Sequence, residues 1–194
     1  MRIAVITGTT REERFSATVT QWVLGYLAGA VPELEVDHVD LREHPLPFFY
    51  GPNPARAPRE YPVEEVARLG RIVDAADGFL ILTGEYNHGY PAVLKNALDW
   101  YFAEWRRKAV AFVGWGNTGG ARAVEQLRDV VVELDMAPVR QAVHILPDVL
   151  MPARSAAAGD LSAFEPLEAK LKLTLDDLLW WASALEAARL RSPA

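Results

Sequence analysis

Five short apolar segments, each followed by a longer segment with helical periodicity, most constrain how this chain can fold. The apolar segments are residues 2–7, 34–41, 78–83, 108–115 and 141–146. The helical patterns cover residues 16–27, 62–77, 91–105, 119–134 and 164–190. Strands that are apolar on both faces and alternate with helices form a parallel sheet covered on both sides. The sequence therefore predicts one α/β domain over residues 1–194, with a three-layer, doubly wound, five-stranded parallel sheet in the flavodoxin-like order 2-1-3-4-5.

A long irregular loop is predicted between the second strand and the second helix. Residues 42–62 contain six prolines, which lack a backbone N–H and interrupt regular structure. These prolines are Pro45, Pro47, Pro52, Pro54, Pro58 and Pro62. Loops of this length in a compact domain often serve as lids or as interface segments.

The composition excludes several classes of function. The 194 residues include no cysteine, which excludes disulfides, thiolate catalysis and cysteine-ligated metal centres. The net charge of -6, without a basic tract, argues against nucleic acid or an anionic membrane as a partner. No apolar run approaches the ~18 residues of a membrane span, and the N-terminus lacks the pattern of a signal peptide. We therefore expect a soluble cytoplasmic protein.

Three loops should meet at the carboxyl edge of the predicted sheet, near the switch point where doubly wound proteins bind ligands. They are residues 8–16, 84–90 and 115–119. Each of them follows one of the three strands expected at the centre of the sheet. These loops are therefore the candidates for a binding site.

The first loop has the groups that bind a phosphate. Thr9 and Ser16 offer hydroxyls, Arg11 and Arg14 offer guanidinium groups, and the start of the helix offers free N–H groups. The loop matches neither GxGxxG nor GxxxxGK[ST], which argues against a dinucleotide fingerprint and a P-loop. The alternative is structural, with Ser16 capping the helix and Arg11 in solvent.

The other two loops have the groups that hold a flat, polar-edged ring. Tyr86 and His88 can lie against a planar ring, and Asn87 can both donate and accept hydrogen bonds. The third loop, residues 114–120, is rich in glycine and could bring backbone N–H groups to carbonyl oxygens. Alternatively, Tyr86 covers the core and His88 is an ordinary surface residue. A phosphate cradle beside two ring walls suits FMN.

A metal site is not expected. His88 has no second histidine or carboxylate at ligand spacing beside it. The other histidines, His38, His44 and His144, are scattered along the chain, and we interpret them as structural.

At these loops the sequence resembles the NAD(P)H-dependent FMN reductase family, which includes quinone, azo-dye and chromate reductases. The segments that carry the resemblance are GTTREERFS, GEYNHGYPAVLKNALDW and GWGNTGGARAVEQLR, and it extends over residues 2–146. The middle segment is the most specific. The family usually has a proline where Gly84 stands, a serine where Thr9 stands and a glycine where Asn117 stands.

The resemblance implies a set of FMN-binding residues. The phosphate and ribityl chain would be surrounded by Thr9, Arg11, Arg14, Phe15 and Ser16. The isoalloxazine ring would be lined by Glu85, Tyr86, Asn87, His88, Trp115, Gly116 and Asn117. No catalytic side chain is expected, because the flavin carries the chemistry.

The resemblance also implies an activity. NAD(P)H would pass a hydride to N5 of FMN, and a small acceptor would then take two electrons in a ping-pong cycle. Quinones, azo compounds, chromate and free flavin are the candidate acceptors. Members of the family that resemble this chain form dimers or tetramers, so a homodimer or homotetramer is expected.

Aromatic residues outside the predicted helix cores also suggest an interface between subunits. Trp100 and Phe102 lie off the apolar stripe of the third helix, and Trp180 and Trp181 are adjacent on the last one. The alternative is that these residues pack under the loop 42–62.

Two other functions remain open from the residues alone. A flavodoxin-type electron carrier would bind FMN but would not oxidise NAD(P)H by itself. A flavin-free interaction module on the same fold would bind no FMN. A phosphoacceptor receiver domain is disfavoured, because the segment after the first strand lacks an acidic pair.

Overall fold

The fold is built around a five-stranded parallel sheet, and the computed structural model describes residues 1–55 and 59–191. The strands are β1 (Arg2–Thr7), β2 (Glu35–Asp40), β3 (Gly78–Gly84), β4 (Ala109–Trp115) and β5 (Ala137–Ile145). Their spatial order is β2-β1-β3-β4-β5, and every neighbouring pair is parallel. The predicted strand order 2-1-3-4-5 is therefore confirmed.

Helices cover both faces of the sheet. They are α1 (Ser16–Ala30), α2 (Glu64–Ala75), α3 (Ala92–Asp99), α4 (Ala121–Glu133), α5 (Pro147–Ser155) and α6 (Glu168–Arg191), with a 3-10 helix at Ser162–Leu167. One hydrophobic core joins the sheet to α1, α5 and α6. A second core joins the opposite face to α2, α3 and α4. The sheet is thus the middle of three layers, and all seven residues of β3 and of β4 are buried.

Helix α5 is an element that the sequence analysis missed. No helical pattern was identified in the sequence between the fifth strand and residue 164, but Pro147 begins a helix that continues past Pro152 to Ser155. Pro147 stands in the first turn, where its missing N–H costs nothing, and Asp148 beside it favours a helix start. Pro152 lies inside this helix, a position where proline is disfavoured.

Two further boundaries differ from the predictions. Helix α3 ends at Asp99 rather than 105, yet Tyr101 and Trp105 remain buried in the turns that follow. Strand β5 begins at Ala137 rather than 141, and its pairing with β4 is irregular between Val110 and Phe112. The predicted final helix is divided into the 3-10 helix and α6.

The described parts of the proline-rich loop, residues 42–55 and 59–62, contain no helix or strand. Pro58 lies outside the described residues. The loop is tied to α3 because Asn96 accepts a hydrogen bond from the Phe49 N–H at 2.8 Å and donates to the Pro47 carbonyl at 2.9 Å. These bonds fix the loop beside the carboxyl edge of the sheet.

The four aromatic residues considered for an interface differ in exposure, and Phe102 is partly buried. Trp100 is buried under the loop, where the rings of Phe49 and Tyr50 meet it edge-on. Trp180 and Trp181 on α6 are 65% and 43% exposed. The alternative of packing under the loop is therefore confirmed for Trp100.

Within the described residues, no helix has the length and apolarity needed to cross a membrane.

Candidate active site

The second and third loops form one structure at the carboxyl edge of the sheet. The Glu85 N–H donates to the Trp115 carbonyl at 2.9 Å, which continues the pairing of β3 with β4 beyond the strand ends. The first loop lies beside them, since the Gly8 N–H donates to the Leu82 carbonyl at 2.8 Å. The fold therefore brings together the three loops that were predicted from sequence to form a binding site.

A cavity of about 400 Å³ lies between these loops. Eight of the twelve predicted site residues line it: Arg11, Glu85, Tyr86, Asn87, His88, Trp115, Gly116 and Asn117. Three further lining residues were not predicted from sequence: Arg122, Leu150 and Arg154. The cavity volume is within the range typical of small-molecule sites, which is roughly 300–1,000 Å³.

The second loop is a tight turn held against α4. Tyr86 and Gly89 exchange two backbone hydrogen bonds, and Asn87 and His88 between them both have positive φ. Asparagine and histidine are among the residues found most often in this conformation apart from glycine. The His88 carbonyl accepts a hydrogen bond from Gln126 at 2.9 Å, which fixes the turn in place.

A buried carboxylate links the second loop to the start of α4. The Glu85 side chain is 6% exposed and lies 2.7 Å from an Arg122 guanidinium nitrogen. Glu85 also accepts a hydrogen bond from the Thr118 hydroxyl at 2.8 Å. Arg122 in turn lies 2.8 Å from Nδ1 of His88, and its own Nε is buried without a partner among the described residues. This network fixes the polar wall of the cavity and gives it a guanidinium group.

The third loop depends on glycine at two positions. Gly119 and Gly120 have φ of 64° and 70°, a region that favours glycine. A Cβ on Gly120 would lie 2.6 Å from the Trp115 nitrogen, so no other residue fits without a shift of the backbone. Nδ1 of His144 donates to the Gly119 carbonyl at 3.0 Å, and this bond gives His144 a structural role.

Arg14 is engaged inside the protein. Its guanidinium donates two hydrogen bonds to the Asp40 carboxylate and one, of 2.7 Å, to the Thr9 carbonyl. Burial tends to raise the pKa of Asp40, but the hydrogen bonds from Arg14 and from the Arg42 N–H outweigh it and lower that pKa. Both side chains of the pair are about nine-tenths buried. The charge of Arg14 is thus already neutralised, and the pair orders the first loop.

Thr9 and Ser16 lie behind the wall of the site. The Thr9 hydroxyl donates to the Ser16 hydroxyl at 2.7 Å, and both residues are buried. Neither residue lines the cavity, and Ser16 does not cap α1. The N-cap residue, Phe15, forms no side-chain cap hydrogen bond, and its carbonyl accepts from the Thr18 N–H at 3.1 Å, so the N–H groups of Ser16 and Ala17 are the ones left to an anion.

A second cavity, of about 470 Å³, extends from the first loop toward the end of α5. Arg11, Arg14 and Phe15 line one side, and Arg154 and the segment 156–160 line the other. Arg11 and Arg154 border both cavities, so the two spaces meet at these arginines.

The glycine at the position of the family's usual proline has a local explanation. A Cβ on Gly84 would lie 3.0 Å from Nε1 of Trp115 and 3.3 Å from the Tyr86 ring. Trp115 is 5% exposed and packs edge-on against Phe15 at 6.4 Å between ring centroids. Gly84 therefore leaves space for the side chain of Trp115, which lines the cavity.

A third and larger cavity, of about 550 Å³, lies outside the three loops. It is bordered by Phe49, Tyr50, Tyr61 and Trp100, and so belongs to the proline-rich loop and α3. Among the described residues, no group of three or more His, Cys, Asp or Glu side chains is arranged to hold a metal ion.

Comparison with known proteins identifies the family of this chain. Residues 1–148 match the family model described as NADPH-dependent FMN reductase. A curated NAD(P)H-dependent FMN reductase of Schizosaccharomyces pombe is 33% identical over 153 residues, which cover 77% of this chain and 76% of that protein. A 2-hydroxy-1,4-benzoquinone reductase of a Burkholderia species is 36% identical over 151 residues, which cover 73% and 75% of the two chains.

A solved structure supports the fold independently. The flavoenzyme FerB of Paracoccus denitrificans, an NAD(P)H:(acceptor) oxidoreductase, superposes with a TM-score of 0.67 over 91% of this chain and 96% of its own. Its sequence identity is 24%, so the likeness concerns the fold alone.

Proposed function

Because the chain belongs to the NADPH-dependent FMN reductase family, we propose that it transfers two electrons from NAD(P)H to a small acceptor through FMN bound at the three-loop site. Family membership makes the chain an oxidoreductase that uses FMN and NAD(P)H. The observation that supports the site is the cavity of about 400 Å³, which is lined by eight residues predicted independently from sequence. FMN bound there would supply the hydride and two-electron chemistry, while the three loops would hold its phosphate and its ring.

The residues present fit this cofactor. The uncapped start of α1 and the exposed Arg11 suit a phosphate. Tyr86 and Trp115 supply aromatic surface to a planar ring, and the third loop brings backbone close to it. Arg122 is paired with Glu85, and its guanidinium would add N–H donors to the polar wall beside the ring.

We propose a quinone as the class of acceptor. The support is the activity named for the Burkholderia relative, a 2-hydroxy-1,4-benzoquinone reductase, together with a cavity in which Tyr86 and Trp115 offer aromatic surface beside polar side chains. Azo compounds, chromate and free flavin are the competing acceptors. We place the enzyme in the cytoplasm, where NAD(P)H is available to it.

Initial-rate kinetics test this proposal. The FMN-saturated protein is assayed with NADPH against several fixed concentrations of a benzoquinone. A ping-pong cycle predicts parallel lines in double-reciprocal plots, because the oxidised nicotinamide leaves before the acceptor binds. Intersecting lines would contradict the ping-pong order. A protein that oxidises NAD(P)H only when a second protein is added would instead be an electron carrier, and the reductase names of the relatives argue against that alternative.

A further inference from the structure

The junction of the two cavities holds two arginines that form no ion pair with any described carboxylate. Four arginines border these cavities: Arg11, Arg14, Arg122 and Arg154. Two of them are in ion pairs, Arg14 with Asp40 and Arg122 with Glu85. Within residues 1–55 and 59–191, neither Arg11 nor Arg154 forms an ion pair. The unbalanced positive charge of the site is therefore concentrated where the two cavities meet.

Arg154 is held in position by an aromatic ring. Its guanidinium carbon lies 5.5 Å from the centroid of the Phe15 ring, at the start of α1. Helix α5 is fixed to the same core through Val149, Leu150 and Ala153, all of which are buried. Stacking on an aromatic face restrains a guanidinium while its N–H donors stay available at the ring edge. Arg154 is an exposed cation whose N–H donors can reach a ligand in either cavity.

Acidic residues also border the second cavity, and they limit where an anion can bind. Glu13 and Asp160 line that cavity, but neither lines the first one. The Asp160 carboxylate is engaged by the Ser162 hydroxyl and N–H, and these bonds lower its pKa. The part of the junction that borders the cavity of about 400 Å³ therefore carries more positive charge than the part that borders the second cavity.

Resting on the function proposed above, we propose that Arg154, together with Arg11, binds a phosphate monoester at the junction of the cavities. The phosphate belongs either to FMN, as its 5′-phosphate, or to NADPH, as its 2′-phosphate. A planar guanidinium fork binds phosphate oxygens in pairs, which makes it the usual choice for this group. Arg14, expected at the phosphate from sequence, is bound to Asp40, and Arg154 supplies the second cation instead. Arg154 lies outside residues 1–148, so it is a feature of this chain beyond the matched family region.

The first arm of the test compares FMN with riboflavin, which lacks the phosphate. The full chain, freed of co-purified flavin, is titrated with each by flavin fluorescence. We expect Arg154→Gln to weaken FMN binding tenfold or more and to leave riboflavin binding unchanged. Arg154→Met is a second neutral variant that keeps apolar contact with Phe15, in case the first does not fold. Arg140→Gln, which removes an exposed arginine of β5 far from both cavities, should change neither affinity.

The second arm compares NADPH with NADH in the FMN-saturated variants. If the phosphate is that of the donor, the NADPH-to-NADH ratio of kcat/KM falls tenfold or more in Arg154→Gln, while the FMN-to-riboflavin ratio stays at its wild-type value. A fall in either ratio supports the proposal and identifies the source of the phosphate. If neither ratio changes in either neutral variant, the proposal is overturned. A wild-type chain that binds neither flavin would overturn the proposed function as well, and the two failures are therefore distinguishable.

Discussion

At the scale of single residues, Arg11 and Tyr86 connect the first loop, proposed to bind the phosphate, with the second loop, proposed to bind the ring. The Arg11 guanidinium carbon lies 5.8 Å from the centroid of the Tyr86 ring, and the two residues come from different loops. An arginine stacked on this ring is oriented before any ligand binds. Both residues border the cavity of about 400 Å³ between the three loops. Substituting either residue should therefore change the affinity for the cofactor rather than the stability of the fold.

We predict that Arg11→Gln and Tyr86→Ala each weaken FMN binding. The loss of a charge-assisted hydrogen bond to phosphate costs about 1.5–3 kcal/mol, which corresponds to roughly a 10- to 100-fold rise in Kd. Tyr86→Phe keeps the ring and should bind FMN nearly as well as the wild type. Flavin fluorescence quenching measures all three values. Unchanged affinity in both Arg11→Gln and Tyr86→Ala would refute the assignment of the site.

Lys108 is a residue outside the site whose titration affects stability. It is 5% exposed, donates to the Val73 and Asp74 carbonyls at the end of α2, and has its pKa lowered by burial to about 8. The unfolded chain, with a lysine pKa near 10.4, binds more protons than the folded chain between these two values. Stability therefore rises as the pH increases from about 8 to about 10.5.

The predicted gain from Lys108 is on the order of 3 kcal/mol across that window. Other groups titrate there too, so the free energy of unfolding is measured by urea denaturation for the wild type and Lys108→Met. The difference between the two proteins should shift in favour of the wild type as the pH rises. A difference independent of pH would mean that Lys108 has an ordinary pKa in the folded protein.

At the scale of secondary-structure elements, alanine substitutions at two glycines test whether the third loop requires glycine. One glycine stands at the start of a helix and the other inside a helix. Gly120 is the N-cap residue of α4 with φ of 70°, and a Cβ there would meet the Trp115 backbone. Gly25 lies on the exposed side of α1, and a Cβ there meets nothing within 4 Å. The same substitution should therefore have opposite effects.

We predict that Gly120→Ala destabilises the protein by about 2–4 kcal/mol, through the left-handed backbone and the steric clash. Gly25→Ala should stabilise it by about 0.5–1 kcal/mol, because alanine loses less backbone entropy in a helix. Thermal unfolding of both variants gives the comparison. Equal midpoints for Gly120→Ala and the wild type would show that the third loop can adopt another backbone conformation.

Among the elements, the sheet and the second and third loops of the site could be predicted from sequence, whereas α5 could not. The apolar segments were long enough to define the strands, and strand order follows from their parallel connections. Arg122 could have been found, since it stands in the first turn of a helix that follows a glycine-rich loop. Arg154 could not, because α5 is short, contains an internal proline, and is stabilised by packing on the core rather than by its own periodicity.

The ion pair between Arg14 in the first loop and Asp40 could not be predicted from sequence either. Arg14 and Asp40 are 26 residues apart, and only the adjacency of β1 and β2 brings them together. Without that pair, every arginine in the loop is equally a candidate for the phosphate. Thr9 and Ser16 were selected for their hydroxyls, which in the folded chain bond to each other.

At the scale of the whole molecule, two apolar surfaces lie on opposite faces of the sheet. Phe48 and Tyr50, on the proline-rich loop, are 82% and 65% exposed, on the side of α2 and α3. Trp180 and Trp181 are exposed on α6, which covers the other face. Apolar surfaces of this kind often mark contacts between subunits, and two of them allow either a dimer or a tetramer.

We predict that the protein is a homo-oligomer in solution and that these surfaces form its contacts. Phe48→Ser combined with Tyr50→Ser, and separately Trp180→Ser, should each lower the molar mass measured by light scattering after size-exclusion chromatography. Leu190→Ser, at an exposed leucine near the end of α6, is the matched control. A wild-type protein with the mass of one chain at micromolar concentration would contradict the prediction.

The central claim is that this chain binds FMN at the three-loop site and reduces it directly with NAD(P)H. The most direct measurement is the absorbance spectrum of the purified protein with stoichiometric FMN, recorded without oxygen before and after addition of NADPH. We predict that a perturbed flavin spectrum appears on binding and that its visible bands bleach with NADPH when no acceptor or second protein is present. Bound FMN that stays oxidised with both NADPH and NADH, or a chain that binds no FMN, would contradict the account.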